Sequence, residues 1–403
     1  MPARSSSLSV VTEAVQALEA PAEPLSAADS VRLLTALTAV PDPRHRRGIR
    51  HSLQSILLLV VGAVMAGKTS WVGMAGWAAR AEHGLRVCGP TPSAATFARV
   101  LAALDPAALQ AALDRWITAR LAARPGSPTA PRAAAGDARR TPRQVLAVDG
   151  KVLRGARTQA GPVHLVAAYD QTAAVVVGQV AVDDGDEIAA LPAVCDTLDD
   201  LQDVLVSADA LHCQRSHATY LVGRGAHYVL TVKGNQRRLR DALARQPWAA
   251  VPGLVQYDVG HGRRETRSIK VISTDGQPQL AALFPHAAQI AKIVRRRRRP
   301  GRNPTVQTVY LITSLTHRQA TPERLAGFAR GQWTIENGLH WVRDVTQGED
   351  RCRVRTGSAP QNLAAVRNTV ISLFRFHGHN SIAEAHRIYA DQPHLIAPTL
   401  HAA

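Results

Sequence analysis

The chain reads as an α/β protein: a strand-and-helix domain carrying an insertion, preceded by a small all-α domain. Three observations predict this. Apolar residues recur at helical spacing from Val31 to about Ala122. Beyond a stretch rich in Pro, Gly, Ala and Arg, short apolar runs alternate with amphipathic helix. A basic, irregular interval from about Lys233 to Thr321 then separates that alternation from a long helix.

In chain order, residues 1–28 are rich in Ser, Ala, Glu and Pro and read as a flexible tail. Residues 29–122 form the helical domain. Its apolar run Ile56–Ala66 is too short to span a bilayer and predicts a buried helix. The stretch TFARVLAALDPAALQAALDRWI predicts a helical pair broken at Asp105-Pro106. Residues 123–143 lack periodicity and form a linker.

The α/β domain runs over 144–380. Gln144–Val148 is an apolar strand ending at Asp149, and His164–Tyr169 and Ala173–Val182 are strands joined by a turn at Asp170-Gln171. Glu187–Leu201 is an amphipathic helix. Val204–Ser207 is a buried strand leading to Asp209, and a helix (Gln214–Val222) and a strand (Tyr228–Val232) follow, with parallel pairing after the first helix. The interval 233–321 reads as an insertion, with strand-like pieces at Ser268–Ile272 and Thr308–Thr313. Helices over Pro322–Arg343 and Asn362–Phe376 close the domain, and residues 381–403 read as a C-terminal tail.

The net charge is +17 over 403 residues, mostly from arginine. Such an excess favours a polyanion, because each basic group near a phosphate releases a counterion. Nucleic acid comes first and an anionic membrane second, but no lipid-inserting amphipathic helix is evident. Cys88, Cys195, Cys213 and Cys352 are scattered without a CxxC pair, which argues against a zinc ribbon and a disulfide scaffold and suits a reducing cytoplasm. No secretion signal is evident.

Two aspartates end apolar strands, in VLAVDGK and VLVSADA. A rigid strand end can aim a carboxylate at a shared point, although either Asp alone could simply open a turn. Sixty residues separate them, enough for the chain to return beside the first strand. A third carboxylate, Glu336, lies on the later helix in a stripe with Trp333, His340 and Arg343; that mixture is an odd choice for a solvated polar face, which is the alternative reading. Three converging carboxylates need a cation between them. Magnesium or manganese, as two ions, suits an oxygen-rich site acting on a phosphodiester.

These residues sit in ordered motifs: PDPRHRRGIRHSL, AVMAG and PSAATFARVLAALD, then LAVDGKVLRGAR, VSADALHCQRSHA, YVLTVKGNQ, HGRRETR, YLITSL and WTIENGLHWVRDVTQGEDRCRVR. From Leu33 to Phe376 the chain resembles the DDE transposases of the bacterial ISAs group, which includes the H-repeat-associated proteins. The resemblance implies a ribonuclease H-like catalytic domain whose insertion falls between the second Asp and the Glu. It implies catalytic, metal-binding roles for Asp149, Asp209 and Glu336, and an activity of metal-dependent cleavage and strand transfer at an element's ends. Positions in matching motifs include Lys151, His212, Lys233, Asn235, Gln236, Arg330, Trp333, Asn337, His340 and Trp341. Lys151, Lys233, Arg263, Arg330, Trp333, His340 and Arg343 are the expected DNA contacts. Double-stranded DNA with terminal inverted repeats is the expected partner, and a homo-oligomer the expected synaptic state.

The chain departs from the family pattern twice, with Gln332 where a His usually precedes the helix tryptophan and Arg343 where an aliphatic residue is usual. Arg343 could hold a phosphate, or pair with Glu349 or Asp350 as a structural bridge. A same-fold nuclease without strand transfer and a non-catalytic DNA-binding remnant are the alternative functions. The helical domain, with Arg44, Arg46, Arg47 and Arg50, would recognise element ends or serve as a packing module. The five arginines at 295–299 would contact phosphate or lie in a solvated loop.

Overall fold

The structure, a computed structural model, describes residues 30–47, 49–85, 90–124, 141–158, 161–182, 185–260 and 262–401. The expected N-terminal tail and most of the expected linker lie outside these residues. Among the described residues the helices of eight or more residues are α1 (Ser30–Thr38), α2 (Leu53–Met65), α3 (Trp71–Ala78), α4 (Ala94–Ala103), α5 (Pro106–Ala122), α6 (Glu187–Asp196), α7 (Arg215–Gly223), α8 (Arg237–Ala244), α9 (Pro322–Gly331), α10 (Ala359–Phe376) and α11 (Ile382–Asp391). None is long and apolar enough to cross a membrane. The chain divides into two compact units, one of residues 1–117, 154–161 and 342–403, the other of 118–153 and 162–341.

The first unit is helical. Ser52, Ser70 and Ser93 cap α2, α3 and α4 by accepting the amide of the residue three positions on. In α2 the apolar residues surround the axis, so burial follows on nearly every side: Leu53, Ile56, Leu57, Leu59, Val60 and Val61 are all covered. The C-terminal helices complete this unit. Asn362 of α10 donates its side-chain amide to Leu101 O and Leu104 O at 2.8 and 3.0 Å, and His386 of α11 meets Met65 O at 2.9 Å.

This differs from one expectation. The segment from 381, read as a tail, is helical and buries Ile382, Ala385 and Tyr389. The helix over 359–376 packs with the N-terminal helices. A helix covered on most sides, as α10 is, carries no marker of which neighbour covers it.

The second unit holds one nine-stranded sheet in the order β3-β2-β1-β4-β5-β9-β8-β7-β6. Its strands are β1 (Gln144–Thr158), β2 (Gly161–Asp170), β3 (Val175–Val182), β4 (Val204–Ala208), β5 (His227–Val232), β6 (Gly253–Gly260), β7 (Arg263–Ser273), β8 (Gln289–Arg298) and β9 (Thr305–Thr313). The last residues of β1 fall in the first unit. β1, β4 and β5 are parallel, as the intervening helices require, while β2 and β3 pair antiparallel. Asp170 shapes their turn by accepting the amides of Thr172 and Ala173.

The interval read as irregular contains the antiparallel strands β6 to β9, which extend the same sheet. Runs of like charge on both faces had hidden the period of two that marks a strand. One sheet face carries Leu205, Val229, Ile269, Ala291 and Leu311, packed with Leu325, Ala326 and Phe328 of α9. That face positions the site.

Candidate functional site

Asp149 and Asp209 come together through strand register. β1 and β4 pair in parallel up to Val148↔Ala208, so the two aspartates are the next residues of adjacent strands. They point to the face on which α9 packs, since alternation places Val145 with Asp149 and Leu205 with Asp209. Asp209 Oδ1 accepts the Leu211 amide at 2.8 Å, and Asn235 donates to Ala210 O, so the KGNQ motif braces the loop behind the second acid.

Glu336 arrives from above. Thr321 caps α9 and Pro322 begins it, and helical backbone continues through Trp333–Ile335. A π turn follows over Glu336–His340. Turns of this kind occur mostly as single interruptions at functional sites. His340 Nδ1 lies 3.1 Å from Glu336 Oε2 and 3.7 Å from Asp149 Oδ2. One ligand atom from each of Asp149, Glu336 and His340 can be chosen such that all lie within 4.8 Å of one another, so these three could hold a metal ion.

Gln332 fixes the helix to the sheet. It donates Nε2 to Val148 O at 3.0 Å and accepts the Ser207 hydroxyl at 2.5 Å, thereby touching both strands just before their aspartates. Gln171 donates to the same hydroxyl at 2.8 Å. Two glycines allow the close approach: a Cβ on Gly331 would stand 1.8 Å from Gln171 Oε1, and one on Gly338 would stand 2.5 Å from the Tyr169 hydroxyl oxygen.

The electrostatics point to a cation. Burial raises the Asp149 carboxyl to about 6; His340 and the Gly150 amide lower it, while Asp209 and Glu336 push it further up. Nε2 of His340 is buried without a hydrogen-bond partner. Carboxylate oxygens fit a divalent ion such as magnesium or manganese, and the imidazole nitrogen suits manganese better than magnesium; the charge of either would replace this mutual repulsion with attraction. His212 beside Asp209 is held near 4 by burial, so it is neutral at physiological pH.

The expected DNA contacts divide by exposure. Lys233, Arg330 and Trp333 are exposed and Arg263 is partly so, whereas Lys151 is buried. His340 is 4% exposed and faces the carboxylates of Glu336 and Asp149. Arg343 is 1% exposed, in the helical unit, where it bonds Glu349 through Nε and Nη2 and Asn368 through Nη1. Its phosphate reading is therefore overturned in favour of the structural bridge. A second π turn, Val342–Thr346, shifts the phase that a 3.6-residue helix would keep, so spacing alone misplaced this side chain. Sequence reasoning also missed Gln332 and Ser207 as helix anchors and His340 as a third group able to hold a metal ion. The Glu336-x-x-x-His340 spacing was the available signal for the last.

Fold and site define an α/β protein with a carboxylate-rich centre able to hold a metal ion. A family model described as "Transposase DDE domain" matches residues 140–373, and one described as "DDE_Tnp_1-associated" matches residues 34–117. The chain belongs to the DDE transposase family. It is 27% identical over 362 residues to the putative transposase YncI of Escherichia coli O157:H7, covering 85% of this chain and 87% of that one. It is 26% identical over 365 residues to the H repeat-associated putative transposase YhhI of Escherichia coli K12, covering 85% and 90%. A cryo-EM structure of a piggyBac transposase synaptic complex with hairpin DNA aligns with a TM-score of 0.41 at 9% identity, over 96% of this chain and 79% of that one.

Proposed function

We propose that the chain is the transposase of a bacterial insertion sequence, hydrolysing and rejoining phosphodiester bonds at the element's ends with Asp149, Asp209 and Glu336 as its catalytic carboxylates. One observation carries this reading: Asp149 and Asp209 follow directly on the parallel β1–β4 pairing, and Glu336, on a helix pinned to those strands by Gln332, comes close to Asp149. The strand order β3-β2-β1-β4-β5 supports reading this half of the sheet as ribonuclease H-like, and the N-terminal helices as the associated all-α domain.

Asp149, Asp209 and Glu336 would hold divalent ions, magnesium or manganese and two in number, with His340 orienting Glu336 or completing the ligand set. Bound there, the ions supply Lewis acidity and charge to both the attacking and the leaving oxygen. The chain's own groups fix positions. The strands hold the aspartates, and Gln332 holds the helix over them. Double-stranded DNA bearing the element's terminal inverted repeats would be the substrate, brought together by more than one copy of the chain. Incubating the purified protein with a duplex carrying those ends tests the reading. Nicked and joined products are expected with magnesium or manganese and none in excess EDTA; undiminished products in EDTA would remove the metal from the mechanism. Cleavage without any joined product would favour a plain nuclease.

A further inference from the structure

Two arginine-rich segments of the sequence, RRETR at 263–267 and RRRR at 295–298, become neighbours in the sheet. β7 and β8 pair Glu265 with Arg297 and Arg267 with Arg295. On one face Glu265 is then enclosed by four guanidinium groups. Arg295 bonds both its oxygens, Arg267 approaches to 2.6 Å, Arg297 to 3.3 Å and Arg263 to 3.6 Å. Glu265 is 2% exposed, while the arginines keep between 22% and 38% of their side chains exposed. Arg330, at the end of α9, reaches Gln256 at 2.5 Å, and its charge acts on Arg267.

One carboxylate cannot balance five guanidiniums. It can order them, because a planar fork held on one side by a buried carboxylate loses less freedom when it binds an anion on the other. This face is also the one that carries Asp149 and Asp209. Alternation runs unbroken from Asp209 through Thr231, Leu311, Ala291 and Val271 to the arginines. The arginine ends of β7 and β8 project beyond the level of the aspartates. Strand spacing and rise put the cluster roughly 25 Å from the carboxylates, about seven base pairs of duplex.

We infer that Glu265 and the arginines around it form a phosphate-binding platform that holds the backbone of double-stranded DNA away from the scissile bond. The inference rests on the transposase reading for its ligand and concerns a surface that the reading does not use. A fluorescent random-sequence duplex, three helical turns long, serves as the probe for full-length Asp149→Asn protein without metal. The comparison variant replaces Arg263, Glu265, Arg267, Arg295 and Arg297 together by Gln, leaving no buried charge unpaired. The slope of log affinity against log salt should fall by about three to four units. A milder variant, Arg263→Gln with Arg297→Gln, should lower it by about two and keeps the test open if the larger replacement fails to fold. Unchanged affinity and slope in a folded variant overturn the platform and leave the catalytic reading standing. Absence of duplex binding by the Asp149→Asn protein itself overturns both.

Discussion

The two ends of this sheet face carry opposite charge imbalances. At β1 and β4, two further acids, Asp209 and Glu336, both push the Asp149 carboxyl up. At β7 and β8, four arginines crowd one carboxylate, and their interactions hold Glu265 below the ordinary range despite the burial that pushes it up. Neither cluster is a self-contained ion-pair network, and each calls for a partner of the other sign. The acidic end suits a small divalent cation within reach of a few ligand atoms. The basic end is spread over two strands and suits a polyanion. Separating them lets a strong, non-specific grip on DNA sit apart from the acids that would repel it.

The comparison breaks first at the acids. Asp149→Asn, Asp209→Asn and Glu336→Gln should each lower metal-dependent cleavage by more than about a thousandfold. Each should leave duplex affinity at fixed salt within a few-fold of the parent. If one of them cuts at the parental rate, that residue leaves the site. Gln332→Ala comes next. It frees the helix from Val148 and Ser207 without touching a ligand, so the rate should drop about ten- to a hundredfold, as for other groups that orient metal ligands. Raising the metal concentration should recover part of that loss, which a general loss of folding would not permit.

At the basic end, Glu265→Gln leaves the arginines facing one another. The loss should fall short of the roughly 3–5 kcal/mol of a fully buried pair, because these arginines remain partly exposed. Differential scanning calorimetry should show a lowered transition that added phosphate partly restores. A transition that phosphate leaves in place would mean the arginines need no anion. The smallest effect separates the ends by ligand sign. Manganese should raise the melting temperature of the parent by a few degrees through binding to the folded state alone. It should do so in Glu265→Gln but not in Glu336→Gln.

The carboxylates were legible in the sequence, because each Asp follows an apolar strand run and ordered motifs supplied Glu336, although β1 continues past Asp149 to Thr158 where the apolar run had suggested an end. The helix from Ile382 was legible too. Ser381 caps it by accepting the Glu384 amide, and Ile382, Ala385 and Tyr389 mark its buried face, yet its position near the end invited a reading as tail. Other features belong to tertiary structure alone. Two π turns interrupt the helix beyond Ile335 and leave Arg343 against Glu349, and no residue pattern announces a change from 3.6 residues per turn. Strand pairing joined two arginine runs that in the chain are only charge. Local sequence fixes which residues a strand or helix can present; register and packing between distant segments decide what those residues meet.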